Sequence, residues 1–70
     1  MQMLSNRPEP LTRREIDVIG QLAQRKTHLQ IAKDMQLSIW TVKFHVRNIY
    51  AKWGVTRRKA AVAYYQKYLH

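Results

Sequence analysis

The sequence predicts an all-α, bundle-like domain of four helices that contains a helix-turn-helix. Three observations support this class: two capping boxes, an apolar seam at helical spacing between a serine and a glycine, and no alternating pattern typical of strands. Seventy residues make one small domain at most, which buries only about 60% of the surface that its unfolded chain exposes. Because the chain has no cysteine, helix packing, self-association or a partner must stabilise it.

The first helix is predicted over residues 13–24. It begins at a capping box, in which the Thr12 hydroxyl accepts from the backbone N–H of Glu15 and the Glu15 carboxylate reaches back. Apolar residues then recur at helical spacing and are expected to face the core: Ile16, Ile19, Leu22 and Ala23.

The next two helices form the outline of a helix-turn-helix. A second capping box begins at Thr27 and predicts a short helix over residues 28–35. After a brief turn, Ser38 caps a third helix over residues 39–53, and Gly54 ends it in the left-handed conformation. In a helix-turn-helix the second of the two helices enters the major groove of DNA.

The third helix divides into a core seam and an outer face without any acid. The seam consists of Val42, Val46, Ile49 and Trp53. The outer face carries Trp40, Phe44, Arg47, Asn48 and Ala51, with Lys43 on one flank and Thr41, His45 and Lys52 on the other. In a major groove, Lys and Arg donate to guanine, Asn pairs with adenine and an aromatic ring meets the thymine methyl group. Backbone N–H groups around Ser38 suit a phosphate. Alternatively, the two aromatic rings are buried by other packing and the bases only keep the chain soluble.

The fourth helix is predicted over residues 57–68, with Thr56 as its N-cap, and it is apolar nearly all round. Its expected core residues are Ala61, Tyr65, Tyr68 and Leu69. The remaining strip consists of Ala60, Ala63, Tyr64 and Lys67. Small residues let helices approach closely and a symmetric patch pairs with itself, so this strip is the predicted dimer contact. The alternative is a harmless exposed surface.

The charge of the chain favours a polyanion partner. Thirteen Lys and Arg against four Asp and Glu give a net charge of +9, and no acid occurs from Gln36 to the end. Nucleic acid or an anionic membrane surface suits such a stretch, although a solvated basic face is the alternative. No apolar run approaches the ~20 residues that cross a bilayer, and the chain does not begin with a signal-peptide core. We therefore expect a cytoplasmic protein without a membrane partner.

Positions from Leu11 to about Val62 match a known pattern at fixed spacing. The matching residues are Leu11-Thr12-Arg13-Arg14-Glu15, Ile31-Ala32, Ser38, Thr41-Val42-Lys43, His45-Val46, Asn48-Ile49, Lys52, Gly54-Val55, Arg58 and Ala61. The sequence therefore resembles the LuxR/GerE-type helix-turn-helix domain of bacterial transcription regulators.

The resemblance implies a sequence-specific regulator that binds double-stranded DNA as a dimer on an inverted repeat, with the third helix in the major groove and the fourth at the dimer contact. It implies base contacts at Lys43, Phe44 and Arg47, and phosphate contacts at Thr27, Thr41, His45 and Lys52, with Asn48 between the two roles. To these we add Ser38 as a phosphate contact, Asn48 as a base reader and Trp40 as an extra groove contact. RNA polymerase or another regulator is a candidate partner. Arg25 stands where the family commonly has a glycine, so the turn there is expected to be built differently.

Residues 1–10 carry both prolines and no periodic pattern, so they are predicted to be a disordered tail or the remnant of a linker, before a domain over residues 11–70. Many members of the family carry a further regulatory domain, which ten residues cannot form. The chain either acts alone or is an excised effector domain, and an initial Met followed by a sequence unlike a tag favours the first.

No enzyme, cofactor or metal site is expected. His28 and His45 are 17 residues apart, with no other ligand type at metal-binding spacing beside either. No nucleophile, base and acid combine into a catalytic set, and no glycine-rich loop is present. The alternative function is a small module that binds and modulates another regulator through Trp40, Phe44 and the fourth-helix strip. A cationic membrane-active peptide is a weaker third reading, because the caps and the seam specify a folded core.

Overall fold

The computed structural model describes residues 10–69, so the predicted tail, apart from Pro10, lies outside the described residues. Four helices follow one another: α1 (Arg13–Ala23), α2 (His28–Met35), α3 (Ile39–Trp53) and α4 (Arg58–Tyr68). Residues 10–69 contain no strand. The all-α class and the order of four helices are confirmed, and each helix end lies within one residue of its predicted position.

The first three helices begin at the predicted caps. The Thr12 hydroxyl accepts from the Glu15 N–H at 3.2 Å, while Glu15 Oε1 accepts from the Thr12 N–H at 2.9 Å. Thr27 and Gln30 make the same reciprocal pair at 3.1 and 2.8 Å. Ser38 Oγ accepts from a backbone N–H of the first turn of α3 at 3.1 Å. Each cap satisfies donors that a helix start leaves without partners.

The same three helices end in turns with one left-handed residue each. These residues are Arg25, Gln36 and Gly54, with φ of 66°, 57° and 66°. In each turn the next residue donates its N–H to the carbonyl five residues back, at 3.4, 2.9 and 3.0 Å. The expectation that the turn at Arg25 is built differently is wrong, because Arg25 itself adopts the conformation that glycine favours.

A single apolar core joins the four helices, and α1 contacts all three others. Its buried residues are Val18, Ile19, Leu22, Ile31, Ala32, Val42, Val46, Ile49, Trp53 and Ala61. The predicted seam of α3 is therefore confirmed, and Ile31 and Ala32 face the core from α2. On α1 the predicted face is partly wrong, because Ile16 is 40% exposed and Ala23 is half-buried, whereas Glu15 and Val18 point inward.

The start of α4 is set by a tertiary contact. The Arg58 guanidinium donates to the carbonyl oxygens of Leu22 at 2.9 Å and Lys26 at 2.7 Å, which joins the first turn of α4 to the end of α1. The predicted cap at Thr56 is wrong, because the N-cap residue is Arg57 and no side chain bonds to the helix start. The guanidinium thus anchors the helix where a hydroxyl was expected.

The far end of α4 lies mostly in solvent. Tyr68 and Leu69 are 60% and 47% exposed, so their predicted place in the core is wrong. Gly20 of α1 instead lets α4 approach closely, since a Cβ there would lie 3.3 Å from the Tyr65 hydroxyl oxygen. None of the four described helices is both long and apolar enough to cross a membrane.

Candidate nucleic-acid interface

The packing of α2 against α3 exposes one side of α3 to solvent. α2 ends at Met35, a turn through Gln36 and Leu37 follows, and α3 begins at Ile39. The Leu37 N–H donates to the Ala32 carbonyl at 2.9 Å, which fixes this turn. These elements form a helix-turn-helix whose second helix has its seam in the core and its opposite face outward.

The outward face of α3 carries the predicted reading residues. Lys43 and Arg47 are exposed, and Asn48 is half-buried beside them. Trp40 and Phe44 are 73% and 59% exposed, so the alternative in which other packing buries these rings is excluded for the described residues. The four longest of these side chains line one shallow groove: Trp40, Lys43, Phe44 and Arg47.

The carboxylates of the described residues are neutralised away from this face. The three pairs are Glu15 with Lys52 at 2.7 Å, Asp34 with Lys26 at 2.7 Å and Asp17 with Arg13 at 3.7 Å. Of the twelve Lys and Arg side chains in residues 10–69, the other nine have no carboxylate partner in that range. The surface potential around the outer face of α3 is therefore positive and is not locally cancelled.

His28, the first residue of α2, lies within this positive region. Burial lowers the pKa of its imidazole below the ordinary value, and the charges of Arg58 and Lys43 lower it further. Neutral His28 is thus favoured while no anion is close. A phosphate beside α2 would instead raise the pKa of His28, because a negative charge stabilises the imidazolium.

Comparison with known proteins decides the family. Residues 9–65 match the model described as GerE, the luxR family of bacterial regulatory proteins. The chain belongs to the LuxR family. Its members are helix-turn-helix DNA-binding regulators and the family is non-enzymatic, so this chain is a DNA-binding regulatory domain.

A solved structure agrees with this assignment. The crystal structure of the response regulator ChrA, from a heme-sensing two-component system, aligns with a TM-score of 0.80 at 34% sequence identity. The alignment covers 89% of this chain and 31% of ChrA, so the LuxR-type domain described here corresponds to about a third of that regulator's length.

Three predicted phosphate contacts of this LuxR-type domain lie at helix N-termini. Thr27 and Ser38 are exposed N-caps of α2 and α3, and Thr41 lies in the first turn of α3, where its hydroxyl is 3.0 Å from Ser38 Oγ. A hydroxyl that accepts a capping bond keeps its own proton for a second acceptor. The caps therefore leave Thr27 and the Ser38–Thr41 pair able to donate to a phosphate.

The other two predicted phosphate contacts are more constrained. His45 is half-buried, with its ring centroid 6.0 Å from that of Phe44. The Lys52 ammonium donates to Glu15 Oε1 at 2.7 Å, and its side chain is only 22% exposed. In this structure Lys52 joins the end of α3 to the start of α1, a role that the sequence reading missed.

The predicted dimer strip on α4 is partly engaged within the domain. Ala60, Ala63 and Lys67 are exposed, as the strip requires. Tyr64 is half-buried, and its ring stacks on Trp53 with centroids 4.4 Å apart. Because its ring also lies 4.7 Å from that of Tyr68, Tyr64 is largely engaged within the domain and only part of it is available to a second copy.

Proposed function

We propose that this LuxR-family domain binds double-stranded DNA sequence-specifically as a cytoplasmic transcription regulator, with α3 in the major groove. The observation that carries the proposal is the outer face of α3. Two cations and two aromatic rings are exposed there beside a half-buried amide, on the second helix of a helix-turn-helix, and no carboxylate lies on that helix. A major groove presents acceptors, donors and methyl groups that these side chains match.

Each side chain takes a role according to its chemistry. Lys43 and Arg47 donate to guanine, Asn48 pairs with adenine and Phe44 presents an apolar ring to the base edges. Phosphates are held by the residues around the two helix starts, by His45 and by Lys52, and this neutralisation supplies most of the affinity. Burial is the main cause of the lowered pKa of His28, but the charges of Arg58 and Lys43 also lower it, and these two nearby cations support a phosphate at this place.

We further propose that two copies bind an inverted repeat through α4. The exposed alanines Ala60 and Ala63 lie one turn apart and allow close approach of two helices. Lys67 on the same strip carries no carboxylate partner within the described residues, so like charges oppose dimerisation off DNA. DNA offsets this repulsion, and dimerisation is therefore expected to be coupled to binding.

Selection from random duplex DNA at two salt concentrations tests the proposal. An enriched inverted repeat is the expected result, with affinity that falls as salt rises. If six to eight phosphates are neutralised, log K should fall with log salt with a slope of about −5 to −7. Salt-sensitive binding without an enriched motif would reduce the chain to a non-specific basic domain.

The exposed rings of Trp40 and Phe44 favour one second candidate, a module that binds another regulator through these rings. The two functions respond differently to one substitution. Specific binding to DNA is weakened by Arg47→Ala, whereas binding of a protein to the rings survives Arg47→Ala and is lost in Trp40→Ala or Phe44→Ala. Both ligands are tested on the same variants.

A further inference from the structure

The outer face of α3 contains a small apolar slot between two aromatic walls. Trp40 and Phe44 lie one helical turn apart, and neither ring is needed by the core. With Lys43 and Arg47 they enclose a shallow groove of about 250 Å³ whose lining is mostly apolar. The slot is therefore a built feature of the face and not a single exposed ring of the kind common on protein surfaces.

One wall of the slot is held by a cation–π contact. Lys43 Nζ lies 5.1 Å from the centre of the Trp40 ring, within the range of such contacts. This contact places the ammonium over the face of the indole, and the lysine lines the slot beside it. Trp40 thus has a positioning role for Lys43 in addition to its own apolar surface.

We propose that this slot receives the 5-methyl group of a pyrimidine, so that the operator is read at thymine. The inference rests on the proposed function and states what the site recognises. The thymine methyl is the apolar group that a base pair presents in the major groove, where the other base edges are hydrogen-bond donors and acceptors. An apolar slot with a cationic rim fits a methyl group that is flanked by guanine acceptors and phosphates.

Deoxyuridine supplies the test, because it pairs like thymine and lacks only the methyl group. In the selected operator each thymine is replaced singly by deoxyuridine, and dissociation constants are measured at one salt concentration. At the thymine that faces the slot, the wild-type domain should lose about fourfold in affinity per half-site, the value of one buried methyl group. Phe44→Ala and Trp40→Ala should bring the thymine-to-uracil ratio close to one.

Two controls make the result specific. Ile16→Ala removes an exposed apolar side chain of α1 and should leave the ratio unchanged. A duplex with 5-methylcytosine opposite guanine at the same position carries the methyl group again. The domain should bind this duplex more tightly than the duplex with cytosine, by the same factor. Helicity and melting temperature of the Phe44 and Trp40 variants show that they are folded.

The outcomes separate this inference from the proposed function. A selection that recovers no motif overturns both. An enriched motif without thymine, or a thymine-to-uracil ratio of one at every position, overturns only the methyl slot. A thymine-to-uracil ratio that persists in both Phe44→Ala and Trp40→Ala would place methyl recognition elsewhere on the domain. That result would also reject the methyl slot.

Discussion

Replacing Glu15 by glutamine tests whether one buried ion pair fastens the end of α3 to the start of α1. The Glu15 side chain is 4% exposed, and its Oε1 accepts from both the Thr12 N–H at 2.9 Å and the Lys52 ammonium at 2.7 Å. Burial alone raises the pKa of this carboxyl, but the bonds from Lys52 and Thr12 outweigh it, and the pKa lies below its usual value. The folded domain therefore favours the ionised form.

The magnitude follows from those two hydrogen bonds. A bond to a charged group contributes about 1.5–3 kcal/mol, and a neutral one about 0.5–1.5 kcal/mol. Glu15→Gln keeps the shape of the side chain and converts both bonds to weaker ones, which costs about 1 kcal/mol each. The free energy of unfolding should fall by about 2 kcal/mol, and the melting temperature by about 8–16 °C for a domain of this size.

Urea unfolding at pH 7, followed by circular dichroism, measures this loss. Asp17→Asn is the matched control, because it removes an exposed ion pair on the same helix, with Arg13 and Asp17 side chains 89% and 45% exposed. Such a pair contributes at most about 0.5 kcal/mol. A loss for Glu15→Gln no larger than for this control would refute the reasoning.

The pH dependence of the unfolding free energy checks the direction in which folding shifts the pKa of Glu15. Because the pKa of Glu15 is lower in the folded than in the unfolded chain, the stabilisation is complete above the unfolded value of about 4.3 and is lost as the pH falls through the folded value. The difference in unfolding free energy between wild type and Glu15→Gln should stay constant from pH 7 to about pH 5 and shrink below about pH 4. A difference that grows in acid would contradict the assignment.

Three further substitutions test the reading face and the turns. Arg47→Ala should cost about 1–3 kcal/mol on the selected operator and relax its specificity in a binding titration; an equal loss on unrelated DNA would remove Arg47 from the base contacts. Arg25→Gly should raise the free energy of unfolding by up to about 1 kcal/mol in urea, because it relieves a left-handed side-chain position at some entropic cost. Gly54→Ala should lower the free energy of unfolding by about 1–2 kcal/mol, because the φ of Gly54 is +66°. No atom lies within 4 Å of the new methyl group, so the loss comes from the backbone alone. An unchanged free energy of unfolding would mean that the turn tolerates a side chain.

Signals confined to a few consecutive residues predicted the structure well. The caps at Thr12, Thr27 and Ser38 and the left-handed Gly54 each depend on partners within five residues, and the structure confirms all four. A cap interacts with backbone groups of its own helix end, so the types of the neighbouring residues are enough to predict it. The order of the four helices followed from these local signals.

Features that depend on distant partners could not be predicted in this way. Lys52 and Glu15 are 37 residues apart, and Arg58 bonds to carbonyls 32 and 36 residues earlier. No pattern of neighbouring residues identifies such pairs. The sequence therefore predicts only a phosphate contact for Lys52 and a capping role for Thr56. The faces of α4 were ambiguous for another reason, since a helix that is apolar nearly all round does not specify which side is buried.

The distribution of carboxylates explains how a small domain can be both stable and strongly cationic. The acids in the described range lie on α1 and α2, and their partners are Arg13, Lys26 and Lys52. The pairs of Lys52 and Lys26 join separate elements, and all three pairs leave the outer face of α3 without a competing anion. A carboxylate on that face would bind Lys43 or Arg47 internally and would have to be displaced before DNA could bind. The aromatic rings between these two cations cannot compete in that way, so the face stays cationic while gaining apolar surface for recognition.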